Sequence, residues 1–319
     1  MTSRRVSQVF VGREAEIETL AGALGEAAAG GPQVVLVGAE AGGGKSRLVS
    51  EFAAQVRGRA RVLAGGCVDL GAAGLPYAPF TAALRVLVRE LKAGEVRGLL
   101  PGGNAGELAG LVPELGSPPA GGDPEMARGR LFGLLLVLLE QLAVKQPLVL
   151  VIEDVHWADR STGELLAFLV RNLQQAAVLL VVTFRTDELG QGGPVRRLLA
   201  ELGRLDGVTR LELKRLSRAQ VAAQLAGVLG RQPDPVVATA VHKRGGGNPL
   251  LTEVLLNADG TVTAALPGPT RDLLLGAMSE LPADCQRVLR TAADGGGRRR
   301  PHRAQAAGYG DRAGGHGAR

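Results

Sequence analysis

One stretch limits what this chain can fold into more than any other: Gln33-Val-Val-Leu-Val-Gly-Ala-Glu-Ala-Gly-Gly-Gly-Lys45-Ser46. An apolar run that gives way to glycines and ends in Lys-Ser predicts a buried strand, a tight loop and a helix opening at the lysine. Glycines let successive backbone N–H groups turn inward, Lys45 can reach terminal phosphate oxygens, and the Ser46 hydroxyl can ligate a divalent cation. The strict pattern would place Gly at position 39, where this chain has Ala39 preceded by Gly38. The context compensates, because 34–37 reads as a strand and the residues from Arg47 onward as an amphipathic helix. The loop residues Ala39, Glu40, Ala41, Gly42, Gly43, Gly44, Lys45 and Ser46, with Arg47 beside them, are therefore the expected cradle for a nucleoside triphosphate and Mg²⁺.

A second run, Pro147-Leu-Val-Leu-Val-Ile-Glu153-Asp154, is fully apolar and ends in two carboxylates. That suits a strand buried on both faces whose C-terminal end opens on a ligand crevice. Beside a phosphate loop, one carboxylate of such a pair holds Mg²⁺ and its neighbour can polarise an attacking water. Glu153 and Asp154 are expected jointly at the metal with Ser46, and Asp154 is the better candidate for the water. A strand ending in polar residues at the surface is the alternative when this motif is taken alone.

The remainder alternates strand and helix. Strands are expected at 61–65, 178–184 and 209–213, and helices at 13–28, 79–91, 161–173 and 194–202. This predicts an α/β fold, a parallel sheet with helices on both faces and its ligand site at the strand C-termini. From Ser217 onward the pattern is helical only, at 218–229, 235–243, 249–256, 270–281 and 283–293, which predicts a helical lid. The Gly/Pro-rich interval 101–126 is too long for a simple connection and reads as a mobile surface insertion.

Composition narrows the function classes. The 319 residues carry a formal charge of +6, but the last 25 hold six Arg and one Asp, so they account for +5 and the body for only +1. A near-neutral body lacks the electrostatic footprint of a DNA-binding protein. The two cysteines, Cys67 and Cys285, form no disulfide framework, and no signal peptide opens the sequence, so a reducing cytoplasm is expected. The apolar run 131–144 carries Glu140 and Gln141 and is too short to span a bilayer; it reads as a buried helix. The segment 295–319 contains no Leu, Ile, Val, Met or Phe and cannot order itself by burial. A reading frame lost near residue 294 is the preferred explanation and a basic disordered arm the other.

Five motifs in order, Phe10-Val-Gly-Arg-Glu14-Ala-Glu16, Gly44-Lys45-Ser46-Arg47-Leu48, Glu153-Asp154-Val-His156-Trp157-Ala-Asp159, Val182-Thr-Phe-Arg185 and Gly246-Gly-Asn248-Pro249-Leu250-Leu251, carry a resemblance. The chain resembles the nucleotide-binding domain of the large ATP-binding LuxR-type transcription regulators, which are similar to the wider class of signal-transduction ATPases with numerous domains. The resemblance implies an AAA-like P-loop NTPase core over 1–215, a helical lid over 216–265, the start of a winged-helix region over 266–294 and a disordered tail over 295–319. It also implies a switch with ATP or ADP and Mg²⁺ as its state labels, slow hydrolysis and self-association through the core. Val11, Gly12 and Arg13 would lie near the adenine, Arg185 would read the γ-phosphate, and Pro249 would pack on the base. Trp157 is expected in the core, and His156 in a capping or supporting role as readily as in chemistry.

The chain also departs from the family pattern. No helix-turn-helix follows the helical part, so sequence-specific DNA binding by this chain is not expected, nor is a membrane partner. An ATP-hydrolysing AAA enzyme of the origin-recognition type would share the core motifs, although no arginine finger is evident. A small-molecule P-loop kinase would need an arginine-rich substrate lid, and a non-functional gene fragment is the remaining alternative.

Overall fold

The computed structural model describes residues 7, 9–69, 75–119, 121, 123–189, 193–257 and 260–263. The chain divides into two compact units, Met1–Ala264 and Ala265–Arg319, and everything below concerns the first. The helices expected at 270–281 and 283–293, the winged-helix region and the basic tail lie outside the described residues.

Five strands, β1 (Gln33–Ala39), β2 (Arg61–Gly66), β3 (Leu148–Glu153), β4 (Val178–Arg185) and β5 (Val208–Glu212), form one sheet in the order β2-β3-β4-β1-β5. Every pairing is parallel. The helices are α1 (Glu14–Ala28), α2 (Lys45–Val56), α3 (Ala78–Gly98), α4 (Gly106–Ala109), α5 (Pro124–Lys145), α6 (Arg160–Asn172), α7 (Pro194–Leu202), α8 (Arg218–Leu229), α9 (Pro235–Gly245) and α10 (Pro249–Val254).

The three central strands β1, β3 and β4 are almost wholly apolar because both their faces are covered, and the period of two sorts their side chains into two cores, whereas the edge strand β5 carries Thr209, Arg210 and Glu212. Leu36, Leu150, Leu180, Val182 and Phe184 meet residues of α3, α5, α6 and α7 on one face. Val35, Val37, Val149, Val151, Leu179 and Val181 meet residues of α1 and α2 on the other. With so few aromatics these layers are Leu and Val, and deleting one such buried side chain costs about 2–5 kcal/mol.

The α/β reading and the order of elements agree with the sequence, but two expectations are corrected. The interval 101–126 is no loose insertion: short 3₁₀ turns at Pro101–Gly103 and Pro113–Leu115 flank α4, and Ala105, Leu108, Ala109, Val112 and Leu115 are buried in the core. Its apolar residues were outnumbered by Gly and Pro, yet they are spaced to plug the cleft beside α3 and α5. Helix α3 also continues past the expected end at 91, through a kink where Lys92 takes φ 61° and ψ 154°. The run 131–144 is the buried part of α5, and among the described residues no helix is long and apolar enough to cross a membrane.

Candidate functional site

Strand order makes the site. Because β4 separates β1 from β3, the loop after β1, the carboxylates after β3 and the end of β4 meet along one edge of the sheet, with Arg185 paired in register with Ala39. Gly42 takes φ +72°, and a Cβ there would fall 2.7 Å from Leu250 Cβ, so the loop needs glycine both for its turn and for its neighbour. Lys45 is buried, and its ammonium donates to the carbonyls of Ala39 at 3.3 Å and Glu40 at 3.4 Å. Burial lowers its pKa, opposed by the nearby Asp154 carboxylate. A cation so held is poised for an anion that meets it in a dry place.

The Ser46 hydroxyl donates to Glu153 Oε2 at 2.7 Å. This distinguishes the two acids, because Glu153 is the carboxylate that the serine contacts. Asp154 sits in the left-handed region at φ 56°, its N–H bonded to Thr183 Oγ1 at 3.0 Å. That turn aims Asp154 away from the strand direction and onto the cavity wall, and Thr183, fully buried in β4, holds the turn. Oxygen donors at Ser46 and Glu153 fit Mg²⁺, which takes few protein ligands and completes its shell with phosphate and water.

Beyond β4, Arg185 forms an ion pair with Glu188, and its guanidinium lies 4.8 Å from the centre of the Trp157 ring. His156 accepts from the Arg185 N–H through Nδ1 at 3.3 Å, so its proton resides on Nε2. Burial pulls the His156 pKa down to about 4 and keeps the ring neutral. His156 and Trp157 thus support Arg185: one braces its backbone and the other its side chain. Trp157 packs against the core on its remaining surface, as expected.

The helical part, α8 to α10, is tied to the loop directly. Asn248 caps α10 by accepting from the N–H groups of Leu250 and Leu251 at 3.0 and 3.2 Å. Its amide donates to Glu40 Oε1 at 3.0 Å and to the Ala41 carbonyl at 2.8 Å. Arg215 grips the other Glu40 oxygen at 2.5 Å. From the N-terminal side, the buried Arg13 donates to the carbonyls of Gly43 at 3.3 Å and Lys214 at 2.6 Å and pairs with Glu16 at 2.9 Å.

These elements enclose a cavity of about 420 Å³, within the range of small-molecule sites. Of the residues expected from sequence, Val11, Arg13, Gly42, Gly43, Gly44, Lys45, Ser46, Arg47, Asp154, Arg185 and Pro249 line it. Ala39 and Glu40 line a second recess behind the loop, Ala41 donates its N–H to Asp187 at 3.3 Å, and Glu153 reaches the cavity through Ser46. Gly12 does not line the cavity; its carbonyl accepts from Gln220 of α8 at 3.4 Å. Sequence reasoning missed Ser7, Val9, Phe10, Leu216, Gln224, Leu250 and Glu253 on the cavity wall, and the supporting roles of Thr183 and Asn248. The Asn-Pro pair before α10 could have signalled Asn248, since Asn caps and Pro follows at the first helical turn.

A parallel sheet with β4 inserted between loop strand and carboxylate strand, a Gly-Lys-Ser loop and an acid on the serine define the P-loop NTPase class. Residues 9–182 match the family model of the AAA ATPase domain, and the chain belongs to that family. An uncharacterised protein of Rhizobium meliloti (strain 1021) is 29% identical over 237 residues. That alignment covers 66% of this chain but 22% of the relative, so the chain spans about a fifth of that protein's length. Among solved structures, a Walker-type ATPase of Pyrococcus abyssi is similar in fold, with TM-score 0.52 and 12% identity over 92% of this chain and 80% of that one. A signal-transduction ATPase with numerous domains and a tetratricopeptide repeat sensor, from Pyrococcus horikoshii, aligns at TM-score 0.47 and 17% identity over 88% of this chain and 34% of that one.

Proposed function

We propose that this chain is the ATP-binding switch of a signal-transduction protein of the LuxR-regulator type, acting in the cytoplasm with Mg²⁺. Asn248 carries the reading: one side chain caps the first turn of α10 and grips the phosphate loop through Glu40 and Ala41. A ligand that reshapes the loop must therefore be felt by the helical part, which is what a nucleotide-controlled lid requires. In this reading Lys45 meets the β and γ phosphates, and Ser46 and Glu153 hold the metal, which offsets phosphate charge. Asp154 orients water. Arg185 leaves Glu188 for the γ-phosphate, its guanidinium suited to paired phosphate oxygens. Val11, Arg13 and Pro249 frame the base. Hydrolysis is slow, the core is the surface for self-association, and DNA is not a direct partner. The domain boundaries at 215 and 265 belong to the same proposal.

The test is ATP and ADP binding with Mg²⁺ by the purified chain, wild type beside Lys45→Ala and Arg185→Ala, with melting temperature recorded in the same samples. Saturable binding that raises the melting temperature is expected, lost in Lys45→Ala. Arg185→Ala should bind while discriminating ATP from ADP about tenfold less well, the value of one charge-assisted contact. A folded wild type that binds neither nucleotide defeats the proposal. Sustained turnover stimulated by DNA would point instead to an AAA motor.

A further inference from the structure

The cavity wall also holds an apolar slot, lined by Val9, Phe10, Val11, Leu216 and Leu250, and a polar cluster that the proposed function leaves unused. Glu253 stands one helical turn beyond Pro249 on α10. Its Oε1 accepts from the backbone N–H of the buried Ser7 at 3.1 Å and from Gln224 Nε2 at 3.2 Å. Gln224 Nε2 also donates to the Pro249 carbonyl at 3.0 Å. The amide orientation follows from these partners: flipped, its oxygen would face a carbonyl and a carboxylate. Gln224 is 6% exposed, and its Oε1 is a buried acceptor without a partner. Glu253 Oε2 has no hydrogen bond among the described residues. Every donor in the cluster is thus consumed within it, and with the Gln224 oxygen sealed from solvent, what the cluster presents to a ligand is one acceptor, the outer oxygen of Glu253.

We propose that Glu253, positioned by Ser7 and Gln224, is the base-reading residue of this site and selects a purine carrying an exocyclic 6-amino group over one carrying a 6-oxo group. The inference rests on the nucleotide reading above and names the specificity of the same site. The 6-amino group donates to the outer Glu253 oxygen, whereas a 6-oxo group in the same place would set one acceptor against another and leave only the neighbouring N1–H to donate. The same carboxylate ties the segment at Ser7 to α8 and α10, so base recognition and closure of the cavity share one group.

The experiment compares Mg²⁺-ATP with Mg²⁺-ITP, which differ at the 6-position, by calorimetric titration of the full chain and of Glu253→Gln. The substitution is nearly isosteric. Its amide oxygen can keep the bonds from Ser7 and Gln224 while the outer oxygen becomes an NH₂ donor. Wild type is expected to prefer ATP by tenfold or more, and Glu253→Gln to bring the ratio to about one or to reverse it, at an unchanged melting temperature. Equal wild-type affinities for the two nucleotides, with binding still lost in Lys45→Ala, would overturn the base assignment and leave the nucleotide site standing. An ATP preference that persists in a folded Glu253→Gln would transfer the role to the backbone of the slot and overturn the proposal for Glu253. Wild type binding neither nucleotide would overturn both readings.

Discussion

The two ends of the cavity are built on opposite principles. The phosphate end hangs from three neighbouring strands: β1 leads into the loop, β3 ends in Glu153 and β4 supplies Thr183 and Arg185. The register of the sheet fixes those groups, and the side chains at the strand centres are fully buried. The base end is assembled from three segments far apart in sequence, around Ser7 to Arg13, Leu216 to Gln224 and Asn248 to Glu253, held by side-chain hydrogen bonds. In the function proposed above, chemistry would sit on the rigid sheet, while the part that would report on the ligand rests on a few polar contacts. Local opening is cheapest where few apolar contacts are lost, so motion is expected at the base end first.

The largest effect should come at the rigid end. Asp154→Asn is expected to lower ATP hydrolysis about a hundredfold or more, the usual value of a positioned general base, with nucleotide affinity within about threefold of wild type. Glu153→Gln should behave differently, because it alters the partner of Ser46, weakening binding with Mg²⁺ and sparing binding in chelator. Phosphate release at saturating ATP and titrations with and without Mg²⁺ separate the two. Identical profiles for both variants would mean that the carboxylates act as one undivided charge and that the Ser46 contact does not separate them.

Asn248 lies on the joint between the ends, and its effect should be intermediate. Asn248→Ala removes a helix cap, worth about 1 kcal/mol, and two hydrogen bonds to the loop. Asp caps a helix as well as Asn does, so Asn248→Asp isolates the second role, since it keeps the cap but turns a carboxylate on Glu40. If Asn248 served only α10, Asn248→Asp would be silent. The expected result is a loss of stability of about 1–2 kcal/mol in urea denaturation for both variants, with weakened ATP binding.

The same contrast explains what the sequence disclosed. That Gly42 to Ser46 and Glu153-Asp154 would be brought together was legible because each motif is contiguous and sits at the end of a strand whose apolar run is itself visible. Glu253 and Gln224 were not, since each is an ordinary polar residue on a helix and acquires meaning only when folding sets it beside Ser7. Arg13 was legible as a residue of the cavity wall, but not its guanidinium's tie between the loop carbonyl of Gly43 and Lys214. The interval 101–126 shows the opposite failure, where turn residues masked five buried apolar side chains. Which of Glu153 and Asp154 faces Ser46 needed the structure, because the order of the two acids in the chain does not reveal which reaches across β4.

The smallest effect is expected from Gly12, where the N-terminal segment meets α8. Gly12 takes φ +67°, and a Cβ there would fall 2.2 Å from Gln220 Nε2. Gln220 in turn completes a reciprocal cap with Ser217 at the start of α8, through bonds of 2.8 and 3.2 Å. Gly12→Ala therefore strains one residue by about 1 kcal/mol and pushes on a flexible side chain that can yield, without touching the sheet. Stability should fall by about that amount and nucleotide affinity by a few-fold, while hydrolysis per bound nucleotide stays at the wild-type value. Urea denaturation and single-turnover phosphate release on one preparation give both numbers. A fall in the hydrolysis step itself would show that the base end is mechanically continuous with the carboxylates, and the contrast between a rigid chemical end and a loosely pinned recognition end would have to be abandoned.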